Sequence, residues 1–149
     1  MGDSYAVLPL SADLGIPAWL EQHGIRVPPL SVANRYPTLL ELRAVLAELE
    51  GHVVRYHIGP AGCDSDIVGT NMYGEEIYAC IWTRGFQGDE DTPLAFSFHK
   101  GWRDLNLEIT RRLSVICGPL VFVSHSVGVP ILVTSDINIQ QALAEAGYL

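Results

Sequence analysis

Residues 94–123, LAFSFHKGWRDLNLEITRRLSVICGPLVFV, decide the fold. Leu94, Phe96 and Phe98 alternate with Ala95, Ser97 and His99, which is the period of a strand with one face on a core. Gly101 is expected to break that strand. Leu105, Ile109, Leu113 and Ile116 then recur at spacings of four, four and three, which places them on one face of a helix. Glu108 stands four residues before Arg112, so a surface ion pair is expected on that helix. Gly118 and Pro119 end it, because glycine accepts left-handed dihedrals and proline cannot continue the hydrogen-bond ladder. Leu120-Val121-Phe122-Val123 is apolar throughout, as in an interior strand. A helix of this length can cross over between two parallel strands.

Upstream, Tyr5–Leu10 predicts a short strand and Pro17–Gln22 one or two helical turns, with Ser11 or Asp13 as cap. The segment 25–33, with Pro28 and Pro29, is expected to be extended or looped. A second helix opens at Tyr36-Pro37-Thr38, carries the stripe Leu39, Leu42, Val45, Leu46 and Leu49, and ends at Gly51. His52–Ile58 alternates, with His52, Val54, Tyr56 and Ile58 facing inward. Gly59–Gly74 is polar and glycine-rich, and predicts a loop holding at most a brief strand at Ile67-Val68. Glu75–Arg84 is apolar on both faces and predicts a central strand. Gly85–Pro93 predicts an acidic turn-rich connection.

Downstream, Ser124–Pro130 predicts a turn and Ile131–Thr134 a strand. Ser135 or Asp136 is then expected to cap a final helix running through Leu143 to Gly147. Helices mixed with hairpin-connected strands predict an α+β fold: one domain over residues 1–149, with a mostly antiparallel mixed sheet of about five or six strands packed with three or four helices.

The chain has 149 residues and is 48% hydrophobic, enough for a core without disulfides or metal. Nine Lys plus Arg stand against seventeen Asp plus Glu, for a formal charge of -8. That balance opposes nucleic-acid binding, which needs a basic footprint. It suits a basic protein partner drawn by the opposite field. No apolar run has the length of a membrane span, so no membrane association is expected. The amino terminus has no basic-then-apolar leader pattern. Cys63, Cys80 and Cys117 are odd in number and widely spaced, which fits thiols in a reducing cytoplasm and not a disulfide framework.

Two partial motifs carry chemistry in other proteins. Ser124-His125-Ser126-Val127-Gly128, after the apolar run, resembles the nucleophile elbow of α/β-hydrolases. Ser124 replaces the first glycine of that pattern, a strand-forming segment follows where a helix is needed, and no histidine follows Ser126. The alternative is a polar hairpin turn. Asp64, Asp66, Gly69 and Glu75 fall at the first, third, sixth and twelfth places of the EF-hand calcium loop, but Val68 fills the fifth, where an oxygen ligand belongs. His52 and His57 are five apart on a strand, so they face opposite ways. No metal-ligand spacing, phosphate loop or dinucleotide fingerprint is present, so no cofactor is expected.

The remaining feature is charge. Gln87-Gly88-Asp89-Glu90-Asp91 puts three carboxylates in one connection, with Glu75 and Glu76 at the far end of the preceding strand. Phe86 and Tyr73 stand beside them as anchors, with Trp82 nearby. In its size, acidic balance, absence of a catalytic set and GDED loop, the chain resembles the small acidic α+β immunity proteins that bacteria make against polymorphic or contact-delivered toxins. The resemblance implies a cytoplasmic protein that neutralises a cognate, basic toxin domain by stoichiometric binding. Asp89, Glu90, Asp91, Phe86, Glu75, Glu76 and Tyr73 are then the expected contact residues. The alternatives are a small serine-hydrolase-like enzyme using Ser126, with His125 or His99 as base, and a non-catalytic homo-oligomeric structural protein.

Overall fold

The computed structural model describes residues 3–59, 62–70, 73–84 and 90–148. Its strands are β1 (Ser4–Pro9), β2 (His52–Gly59), β3 (Gly62–Thr70), β4 (Glu76–Arg84), β5 (Phe96–Gly101), β6 (Leu120–Ser124) and β7 (Pro130–Val133). They form one sheet in the order β2-β3-β4-β5-β1-β6-β7, and every neighbouring pair is antiparallel. The helices are α1 (Ile16–Gln22), α2 (Leu39–Ala47), α3 (Arg103–Cys117) and α4 (Ile139–Glu145), with a 3-10 turn at Asp13–Gly15. This is the expected α+β class with one more strand than the sequence suggested.

The organising unit behaves as its pattern demands. β5 and β6 both pair antiparallel to β1, which lies between them, so they run parallel to each other. Helix α3 is therefore the crossover between them. It buries Leu105, Leu107, Ile109, Leu113 and Cys117 against the sheet and α2. Ile116, assigned to that stripe by its spacing, is instead exposed, and Cys117 takes its place. Glu108 meets Arg112 at 3.8 Å and also binds Arg111 through both carboxylate oxygens. Gly118 closes the helix with a φ of 81°, and a Cβ there would sit 2.2 Å from Asn34 Oδ1. That approach matters because Asn34 Nδ2 donates to Leu10 O and Arg35 N–H donates to Cys117 O, tying the α1–α2 connection to the end of α3.

Helices α2, α3 and α4 cover one face of the sheet. The core there stacks Tyr5 on Phe122 with centroids 4.9 Å apart, and sets Phe98 against Phe96 and Phe122. Helix α1 covers the opposite face at the β1-β6-β7 end, where Leu10, Ile16, Leu20 and Val121 form a second cluster with Trp19, Ile25 and Leu132. Helix α2 starts at Thr38, whose hydroxyl accepts from Glu41 N–H while the Glu41 carboxylate accepts from Thr38 N–H. This reciprocal box satisfies two otherwise orphaned amides.

Three expectations need correction. Gly59–Gly74 is not a loop: β3 runs from Gly62 to Thr70 and pairs along its length with β2 and β4. Pairing on both sides supplies the order that Gly, Asp and Ser lack as strand formers. Neither Ser11 nor Asp13 caps α1, which follows Gly15. Helix α4 is capped by Asn138, not by Ser135 or Asp136; Asn138 Oδ1 accepts from Gln141 N–H at 3.0 Å. No described helix is long and apolar enough to cross a membrane.

Candidate protein-binding surface

The serine turn is the first place to look for chemistry, and its geometry is that of a hairpin. β6 leads through residues 125–127 into β7, so a strand follows the turn where a nucleophile elbow has a helix. Ser124 is fully buried, and its Oγ accepts the N–H groups of Ser126 and Val127 at 3.1 and 3.2 Å. Asp3 Oδ2 accepts from the Ser126 hydroxyl at 2.7 Å and from the Ser124 hydroxyl. Tyr148 Oη accepts from Ser124 N–H at 2.8 Å and donates to Val129 O at 3.0 Å. Burial opposes the Asp3 charge, but hydrogen bonds from Ser124, Ser126 and the backbone outweigh it and hold the carboxyl below its ordinary range. A carboxylate so satisfied is a weak base. Among the described residues no histidine nitrogen bonds Ser126, so the cluster ties the first strand to the β6–β7 turn without forming a nucleophile–base pair.

The calcium template fails for a backbone reason. Asp64 and Asp66 lie on a strand paired on both edges, and cannot wrap with Glu75 around one ion. Among the described residues no three of His, Cys, Asp and Glu gather as a metal site requires. His52 and His57 do face opposite ways. The His52 ring bonds Glu50 O at 2.7 Å, and that of His57 bonds Asp66 Oδ2 at 3.1 Å.

Several exposed apolar side chains of the described residues share one place, the half of the sheet that α1 does not reach. The inner residues of β3, β4 and β5 are buried: Ser65 and Ile67, Ala79, Ile81 and Thr83, and Phe96 and Phe98. Their neighbours point the other way, where no described helix packs. Val53 there is 62% exposed, Val68 40%, Tyr78 41% and Trp82 38%. The register sets Val53 beside Val68 and Val68 beside Tyr78, making one apolar row across three strands. Beside that row, Trp82 stacks on His99 with ring centroids 3.5 Å apart. A bulge produces this pairing, because Ala79 to Ile81 on β4 opposes Gly101 to Phe98 on β5, so β5 holds one extra residue. The sequence predicts β4 as a central strand, and it is central; among the described residues, helices pack on only one of its faces.

The sequence-derived contact residues fall into two groups. Tyr73, Glu75 and Glu76 are exposed at the β3–β4 hairpin end, with Tyr73 at 80%. Glu90 and Asp91 lie instead beside α2, on the covered side of the sheet. Glu90 is not at a loop tip: its carboxylate meets Arg43 of α2 at 2.8 Å and its carbonyl accepts from Leu40 N–H. Asp91 is exposed. Phe86 and Asp89 lie outside the described residues. Tyr78, Val68 and Val53, which the sequence did not single out, occupy the sheet face that no described helix covers. Only Val53 is marked in the sequence, as an apolar residue on the face that the alternation of His52–Ile58 assigns to solvent.

Comparison with protein-family models, with characterised proteins and with solved structures finds no match to this chain.

Proposed function

We propose that this chain is a protein-binding, immunity-type protein that neutralises a cognate toxin by stoichiometric binding in the cytoplasm. The observation that carries this is the uncovered sheet face of β2–β5, with Val53, Val68, Tyr78 and Trp82 exposed together. Contiguous apolar surface of this kind marks an interaction site in a protein that is otherwise well packed. Tyrosine and tryptophan are the residue types that dominate interface energies. Glu75 and Glu76 border one end of this face with negative charge, and the whole chain carries -8. A basic toxin domain fits this field: the carboxylates steer its approach and the aromatic face holds it.

The test is capture of partners from the native cells on the intact chain at low and moderate salt, beside a Tyr78→Glu, Trp82→Glu double variant. A single stoichiometric partner, retained by the wild type and lost by the variant, supports the proposal. Capture of nothing, or equal capture by both, removes it. Neutralising Asp89, Glu90 and Asp91 is expected to slow association and flatten its salt dependence. Light scattering checks whether a second copy covers the face instead, in which case the homo-oligomeric structural alternative replaces this one.

A further inference from the structure

A second surface, on the opposite edge of the sheet, has a different character. β7 is the last strand in the sheet order, so among the described residues one of its edges has no neighbouring strand. The open edge lies at the floor of a groove of about 410 Å³. His23, Gly24 and Ile25, at the end of α1, form one wall, and Ile137, Gln141, Ala142, Glu145 and Ala146 of α4 and its approach form the other. Because α1 and α4 lie on opposite faces of the sheet, a single space lined by both must run along the β7 edge.

The alternation of antiparallel pairing says which β7 groups point into that groove. His125 N–H donates to Ser4 O and Leu10 N–H donates to Pro119 O, which fixes the phase of the β1–β6 ladder. Val121 and Val123 therefore bond towards β1, and Leu120 and Phe122 towards β7. Their partners, Val133 and Ile131, turn their amides inward to the sheet. Leu132 is left with its N–H and C=O both aimed outward, beside the outward C=O of Pro130. Among the described residues no backbone group outside the sheet bonds Leu132.

We infer that this groove binds a short extended segment of a partner protein, added to the sheet as an eighth strand and carrying a lysine or arginine. Such strand addition draws affinity from main-chain hydrogen bonds and selectivity from pockets for alternate side chains. Leu132 N–H would donate to the incoming strand, and the carbonyls of Leu132 and Pro130 would accept from it. Side chains on one face of the added strand meet His23 to Ile25. Those on the other meet Ile137, Ala142 and Ala146, where two alanines leave room for a medium apolar group. Glu145 stands at the rim, its carboxylate held by Gln141 Nε2 at 2.9 Å, and supplies the charge that selects a basic side chain. A lone strand fits where a second copy does not: the β7 edge is recessed between two walls, and an identical recessed edge cannot reach it. β7 has only four residues and begins at Pro130, which cannot donate, so the recognised segment is short. The inference is independent of the toxin-binding proposal, because it concerns another edge and holds for any partner with such a segment.

The test is selection of a displayed library of short random peptides on the intact chain, followed by titration of the enriched peptides. Enriched peptides are expected to bind one to one, to carry a basic residue, and to slow hydrogen exchange at the Leu132 amide. Leu132→Pro, which removes the outward donor at an edge position that tolerates proline, is expected to weaken them about tenfold. Glu145→Lys, at an exposed position, is expected to weaken them by a similar factor and decides the matter if Leu132→Pro fails to fold. No enrichment, binding unchanged in Glu145→Lys, or a Leu132 amide already protected in a dimer of the free chain would each overturn the inference.

Discussion

Trp82 and His99 lie nearly parallel, 3.5 Å between ring centroids, on a sheet face that no described helix covers. The stack spans the β4–β5 bulge and helps to fix the half-exposed indole. An aromatic side chain already ordered loses little entropy on binding, which makes it suited to anchor a partner. Trp82→Ala is expected to cost at least about 2 kcal/mol of partner affinity, the range of a binding hot spot. The same change is expected to cost at least about 1 kcal/mol of folding stability, because the stack on His99 and the packing of the half-buried indole are both lost. Parallel titration calorimetry and urea melts check the two figures. A larger stability loss than affinity loss would count against an anchoring role.

Arg35 and Glu41 predict an acid limit to stability. Arg35 Nη1 and Nη2 donate to the two Glu41 oxygens at 2.6 and 2.8 Å, and the Thr38 amide adds a third bond. Hydrogen bonds from Arg35, opposed by burial, bring the Glu41 carboxyl from an ordinary 4.5 down to about 2. A folded-state value below the unfolded one stabilises the fold above the unfolded value, and the contribution disappears as pH falls through the folded one. The loss from this group is therefore expected between about pH 4.5 and pH 2. Its size is of order 1–2 kcal/mol, because Arg35 is partly exposed and solvent screens the pair. Glu41→Gln should flatten that part of the stability–pH curve measured by urea melts.

Gly101 should resist replacement. Its φ is +111°, and a Cβ would lie 2.8 Å from Ala79 Cα and Tyr78 O. Gly101→Ala is expected to destabilise by more than about 1 kcal/mol, since both the backbone and the neighbouring strand must shift. Gly147→Ala, where a Cβ meets nothing within 4 Å, carries only the backbone penalty and serves as the control in thermal melts.

Cys117 and Cys80 should react at different rates. Burial pushes the Cys117 thiol up to about 11, so almost none of it is thiolate at neutral pH. Cys80 is half-buried on the uncovered face. Iodoacetamide on the folded chain, read by peptide mass spectrometry, is expected to modify Cys80 well before Cys117. The difference should vanish in denaturant.

The serine turn should behave as structure. A fluorophosphonate probe is expected to leave Ser126 unlabelled, because its hydroxyl donates to Asp3, a weak base, and among the described residues no histidine bonds it. Asp3→Ala is expected to cost about 1–3 kcal/mol, since it removes the carboxylate that accepts from both the Ser124 and Ser126 hydroxyls. Ser126→Ala, at an exposed position, should cost less. Labelling at Ser126 would reverse this assignment.

How much of this was legible in the sequence differs from element to element. The β5–α3–β6 unit was legible because its periodicity is local: a 3.6-residue stripe between two apolar strands has few ways to bury itself. The acidic residues were equally visible, but their grouping was not, since residues next to one strand in sequence can lie on different sides of the sheet. The open face was hidden because the apolar content of β4 looks the same whether or not something covers it. Strand β3 was hidden because its glycines, serines and aspartates favour turns, and only hydrogen bonds from β2 and β4 hold them extended.

The sequence by itself determined the α+β class, the stop of α3 at Gly118, the opening of α2 at Tyr36-Pro37-Thr38 and the net negative field. These depend on contacts within a few residues or on composition alone. Only the tertiary structure decided the strand order, the bulge that brings His99 to Trp82, the tie from Asp3 to the β6–β7 turn, and the recessed edge at Leu132. Each joins residues far apart in the chain, and no local propensity encodes which distant segment will supply a hydrogen bond or leave one unmade.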